Sequence, residues 1–135
     1  MRQKPALTAS DVQKMAAACK AEAAKNKWIV TIAIVDSAGY LLYAERPDGA
    51  GPFTSKMAVG KAESAAISGR PTKFWEDRIK ERPAFAKAPV STPIQGGVPI
   101  MVQGECVGAI GVSGVQSHED EQVANAGVAA LGAAT

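Results

Sequence analysis

Aromatic residues are scarce: Phe, Trp and Tyr make up 5% of the 135 residues. Stacking platforms for single-stranded nucleic acid need several such rings, so this scarcity argues against that class. Neither sign of charge is in excess. Fifteen Lys and Arg stand against 13 Asp and Glu, a net +2, and the charges are interspersed. The basic stripe that a nucleic acid or an anionic membrane surface would require is missing. The two cysteines, Cys19 and Cys106, lie far apart with no CxxC or CxxH spacing. That count excludes a disulfide framework and a thiolate zinc site, and both are expected to be ordinary reduced thiols. His118 is the only histidine, so no multi-histidine metal site can form within one chain. No apolar run reaches the ~18 residues of a membrane span. Met1 to Pro5 leads into a capped helix pattern and not a signal sequence, so the expected location is cytoplasmic.

What is present is a globular composition, 47% hydrophobic. Residues 1–135 read as one domain, with enough chain to bury a core without a metal or disulfide staple. Thr8 with Asp11 is a hydroxyl followed three residues later by a carboxylate, a helix start. Val12, Met15, Ala16, Cys19 and Ala23 then keep helical spacing to about Asn26. Trp28 to Val35 is β-branched and apolar on both faces, which predicts a strand covered on two sides. Asp36-Ser37-Ala38-Gly39 turns the chain into a returning strand, Tyr40 to Arg46. After the loop Pro47 to Pro52, a helix is expected from Thr54 or Ser55 to Ser68, stopped at Gly69. A shorter helix starts at Pro71-Thr72 and is stopped at Arg82-Pro83. The proline-bearing segment Ala84 to Gln95 fits no single element. Val98 to Val102 and Cys106 to Val112 read as strands joined by a tight turn at Gln103-Gly104. Ser117 with Asp120 reads as the start of a last helix through Val123, Gly127 and Leu131. Hairpins imply antiparallel pairing, and doubly apolar strands need helices on both faces. The fold class is therefore α+β, an antiparallel sheet of about five strands with helices packed on both faces.

Three stretches carry a resemblance. Ile34-Val35-Asp36-Ser37-Ala38-Gly39 is the first, and Ser55 through Gly60-Lys61-Ala62 the second. Gln95-Gly96-Gly97-Val98-Pro99-Ile100 with Val107-Gly108-Ala109-Ile110-Gly111-Val112-Ser113-Gly114 is the third. Together, and over nearly the whole chain, they resemble the GlcG/HbpS-like (haem-degrading domain) family, which includes the C-terminal domain of PduO-type proteins. The resemblance implies a profilin-like fold, homo-oligomers, haem binding in some members, and an association with catabolic pathways. It fixes the fold better than the activity.

Several residues could carry chemistry. Asp48-Gly49-Ala50-Gly51 runs into Thr54-Ser55 at a helix start, where free N–H groups and the positive helix end suit an anion. The competing reading is a plain N-cap after a turn. Ser55 stands where a phosphate-binding P-loop ending at Gly60-Lys61 would need its first glycine, so nucleotide phosphate is not expected. The glycines of Gly108 to Gly114 fall inside a strand, so they are not a dinucleotide fingerprint. Gly96-Gly97 is either a bend or a ligand-facing backbone nest. The resemblance favours a pocket bordered by that turn and the Asp48–Ser55 loop. Lys61 matches the family's lysine, and could hold a carboxylate or a haem propionate, or else serve as a structural lysine. Arg46 is a solvated charge by default and a candidate ligand contact. His118, beside Glu119, Asp120 and Glu121, is either an exposed first-turn residue, a general acid/base, or an axial ligand to haem iron.

Three functions stay open. One is a small-ligand-binding protein, its ligand an anion or haem, held by Arg46, Asp48, Gly49, Ser55, Lys61, Gly96 and Gly97. The second is a cofactor-free enzyme or accessory protein acting on a small anionic catabolic intermediate through Lys61 and His118. The third is a structural oligomer whose glycines only serve packing.

Overall fold

A computed structural model describes residues 1–132. Helix α1 covers Ala9–Lys25, and strands β1 and β2 cover Thr31–Asp36 and Leu41–Glu45. Helices α2 and α3 follow at Pro52–Ser68 and Thr72–Glu81, with a short 3₁₀ turn at Pro83–Lys87. Strands β3, Gly97–Val102, and β4, Glu105–Ser113, precede helix α4, Ser117–Ala130.

The first helix starts as its sequence directs. The Thr8 hydroxyl accepts from the Asp11 N–H at 3.1 Å, and the Asp11 carboxylate accepts from the Thr8 N–H at 2.9 Å. At its other end Lys27 takes φ 61°, the Trp28 N–H reaches back to the Ala23 carbonyl, and the Lys27 N–H to that of Ala24. This six-to-one closure spends residues 26 to 28 on leaving the helix. The strand therefore opens at Thr31 and not at Trp28. Helix α2 begins at Pro52, before the expected Thr54 or Ser55, because a proline at N1 has the helical φ built in and gives up no needed donor. The Gln103-Gly104 turn has φ 52° and 79°, the double left-handed form that a two-residue hairpin requires.

The sheet has four strands in the order β2-β1-β4-β3, every pair antiparallel. The expected count of about five is corrected to four. The segment 84–95 goes into the 3₁₀ turn headed by Pro83 and into irregular chain, where Pro89 and Pro93 remove ladder donors. Helices cover both faces as the apolar strands require. On one side α1 and α4 bury Met15, Cys19 and Val123 against Ile32, Ile34, Ile110 and Val112. On the other, α2 lays Ala58, Ala62 and Ala65 on Ala33, Val35 and Ala109. That second interface is built from small residues, and Gly111 is its tightest point. A Cβ there would press on the Ala58 carbonyl oxygen and stand 2.5 Å from the Ala62 nitrogen. Gly111→Ala must push helix backbone off the sheet. It is expected to lower the unfolding free energy by about 2 kcal/mol in urea denaturation, where Ala for Gly in an uncrowded strand would be neutral or better.

Candidate functional site

Two helices each carry one charge on the stripe that faces the core. On α2 the buried stripe is Ala58, Lys61, Ala62 and Ala65. On α4 it is Asp120, Val123, Ala124 and Gly127. Lys61 is 2% exposed and Asp120 also 2%. The two helices lie on opposite faces of the sheet, and the pair meets past the end of β4. Lys61 Nζ donates to Asp120 Oδ2 at 3.1 Å and to the Val112 carbonyl at 2.9 Å. The second carboxylate oxygen, Oδ1, accepts from the Val115 N–H at 3.1 Å. Burial pushes the Asp120 carboxyl above its ordinary range, and Lys61 and the Val115 N–H pull it back only in part.

Gly96 and Gly97 close this cluster. Gly96 has φ +132°, and a Cβ on it would stand 2.7 Å from Lys61 Nζ. A Cβ on Gly97 would stand 2.8 Å from the Lys61 carbonyl carbon. The Gly97 N–H donates to Thr72 Oγ1 at 2.8 Å, which ties the turn to the start of α3. Both glycines are thus buried against the lysine.

The other candidates lie elsewhere. Arg46, Asp48 and Gly49 sit on the exposed loop after β2, with Gly49 at φ +90° against Ile29. Thr54 anchors the far end of that loop, its hydroxyl 2.7 Å from Thr31 Oγ1 and donating to the Gly51 carbonyl at 2.6 Å. Ser55 lines an open groove of about 410 Å³ with Lys56, Glu63, Ser91 and Thr92. Across the groove the Thr92 N–H donates to the buried Ser64 hydroxyl at 2.9 Å. His118 is exposed on the first turn of α4. Five surface hollows among the described residues, the Ser55 groove included, have neither Lys61, Arg46 nor His118 in their walls. Nor does any group of three or more His, Cys, Asp and Glu among the described residues form a metal site.

Sequence reasoning missed the role of Asp120. Its spacing from Ser117 suggested a cap, but the cap is made by Gln116 and Glu119. The Asp120 carboxylate turns inward instead. The signal was available in its place at the head of the Asp120, Val123, Ala124, Gly127 stripe, which marks a buried face.

The model of the family described as "Haem degrading protein HbpS-like" matches residues 7–129. This chain belongs to the HbpS-like family. It is 40% identical to Protein GlcG of Escherichia coli strain K12 over 114 residues, 84% of this chain and 85% of the relative. It is similar in structure to an HbpS double mutant from Streptomyces reticuli, with a TM-score of 0.90 and 36% identity over 98% of this chain and 91% of that one. A PduOC haem complex shares the fold, at a TM-score of 0.86 and 23% identity over 93% and 95% of the two chains.

The buried pair makes its own prediction. Lys61→Met strands the Asp120 carboxylate in the interior and is expected to cost about 3–5 kcal/mol in urea denaturation. Adding Asp120→Leu removes the stranded charge, and the double variant is expected to recover most of that loss.

Proposed function

We propose that this chain is a small-ligand-binding protein whose groove beside α2 takes a small anion. The observation that carries the reading is the composition of that groove. Ser55, Ser91 and Thr92 present hydroxyl groups, and Lys56 adds an exposed cation that no carboxylate pairs among the described residues, the groove's one acid, Glu63, included. Helix α2 has no side-chain cap and no acid in its first turn, so its positive end adds to the same field. The size, about 410 Å³, suits a small molecule. The catalytic alternative loses support from geometry. The ammonium of Lys61 is taken up by Asp120 and Val112, and His118 stands apart from it on the surface.

Haem is the second reading, favoured by the family's description and by the haem complex of a fold relative. His118 fits as a donor: it is exposed and makes no hydrogen bond or ion pair among the described residues. One chain does not fit the rest of the group. A porphyrin has two apolar faces to bury, and the turn around His118 carries the polar Ser117, Glu119 and Glu121. Haem binding by this chain therefore requires a wall supplied by another copy.

Titration calorimetry with succinate and with inorganic phosphate, beside a haemin titration followed by absorbance, separates the two. Saturable binding of an anion, weakened about tenfold by Lys56→Ala, is expected, a change of about 1.4 kcal/mol. A saturable Soret shift lost in His118→Ala, with no anion binding, would transfer the assignment to haem. The absence of both responses would overturn both readings.

A further inference from the structure

The segment 70–87, which spans α3 and the 3₁₀ turn, carries six Lys and Arg against three acids. All three acids are spent inside it. Lys73 pairs with Glu76 at 3.6 Å and with Asp77 at 2.7 Å, Lys80 with Glu76 at 4.0 Å, and Arg78 with Glu81 at 3.6 Å. Arg70, Arg82 and Lys87 are exposed and have no carboxylate partner among the described residues.

Two of those three cations are held by rings instead. Arg70 Cζ stands 4.5 Å from the centre of the Phe74 ring, and Arg82 Cζ 5.2 Å from that of Phe85. Phe74 meets Trp75 edge to face at 5.2 Å, and Trp75 meets Phe85 at 5.9 Å. The result is a row of three rings with an arginine at each end. A guanidinium over a ring keeps its N–H fork for another partner, whereas one in an ion pair has spent it. Beside Arg82 lies a hollow of about 290 Å³, with Lys87 on its wall and Ala84, Phe85 and Ala88 as its apolar lining. In the middle of the row, Trp75 Nε1 is the one buried side-chain polar atom without a hydrogen-bond partner among the described residues. Helix α3 buries only Thr72, so its rings and arginines do not serve the core.

We infer that this row is a docking surface for an extended acidic segment of another protein. The three unspent cations set the charge of the partner. Their spread sets its size. The ten residues of α3 are about 15 Å long, which a single small anion cannot bridge and about six extended residues can. Arginines set among aromatic rings are also the composition of interface centres. A second copy of this chain is a poor occupant, because its own acidic run is engaged. Glu119 accepts from the Gln116 N–H, Asp120 holds Lys61, and Glu121 accepts from the Gln95 side chain. Nucleic acid is disfavoured because the rings are engaged by arginines and by one another, which leaves no platform for a base. The inference is independent of the groove beside α2, and either can fail without the other.

Calorimetric titration of the full chain with hexaglutamate at low salt tests it, with amide chemical shifts followed alongside. Saturable binding is expected, with the shifts gathered in residues 70–88. Arg70→Glu and Arg82→Glu are each expected to weaken it about tenfold, while Lys14→Glu, the same charge change on an exposed lysine of α1, stays within about twofold of wild type. Succinate at matched ionic strength is expected not to displace the peptide. No saturable binding, an equal loss in Lys14→Glu, or displacement by succinate would overturn the inference. So would tighter binding of a single-stranded oligonucleotide, or of phosphatidylserine vesicles, at the same residues. The wild-type shifts decide the matter even where a glutamate variant fails to fold.

Discussion

A lysine and an aspartate, both shut away from water, join the two helical layers of this protein around the end of its sheet. Each ion alone would cost several kcal/mol to bury, so the pair persists only because every nearby group serves it. The Val112 carbonyl accepts a second N–H of Lys61, and the Val115 N–H donates to the other carboxylate oxygen of Asp120. Gly96 leaves room for the lysine stem and ammonium, and Gly97 for the α2 backbone at Lys61. The cap of α4 falls to Gln116 and Glu119 because Asp120 is committed inward. A salt bridge of this kind adds little net stability over an apolar filling, yet breaking one side of it is costly. It acts as a register pin between α2, β4 and α4.

That pin is compatible with only one kind of layer on the α2 face. Alanines and Gly111 let α2 lie close enough for a lysine on its buried stripe to reach the sheet's end. The α1 and α4 face is filled by branched and sulfur-bearing side chains, and burial pushes the Cys19 thiol up to about 12. The two faces thus differ in kind. One is a thick hydrophobic layer and the other a thin small-residue contact. The polar features that could meet a ligand, Ser55 and Lys56, sit on the outer side of the thin layer.

Local chemistry made much of the fold legible. The Thr8–Asp11 box, Gly69 after α2, the Gln103-Gly104 turn and the doubly apolar β1 and β4 all stand near where their residue types direct. Boundaries shifted where a local closure competed, as at Lys27-Trp28, or where Pro52 seeded the helix early. The candidate site was legible as a set of residues but not as an arrangement. Lys61, Gly96 and Gly97 do meet, around a charge pair. Arg46, Asp48 and Gly49 share a loop, and Ser55 faces a separate groove. His118 stands alone on the surface.

The sequence by itself determined the α+β class, the antiparallel hairpins, helices on both faces and membership of the HbpS-like family. The class, the hairpins and the helical cover follow from periodicity, capping and turn residues, which act over a few positions along the chain, and the family follows from the resemblance of three motif stretches and the family match. Only the tertiary structure decided that Lys61 is paired with Asp120 and that the sheet stops at four strands. Lys61 and Asp120 are 59 residues apart, and nothing in local spacing reports a contact at that range. Their burial and partners are set by which faces of α2 and α4 the sheet brings together, a property of packing and not of any segment alone.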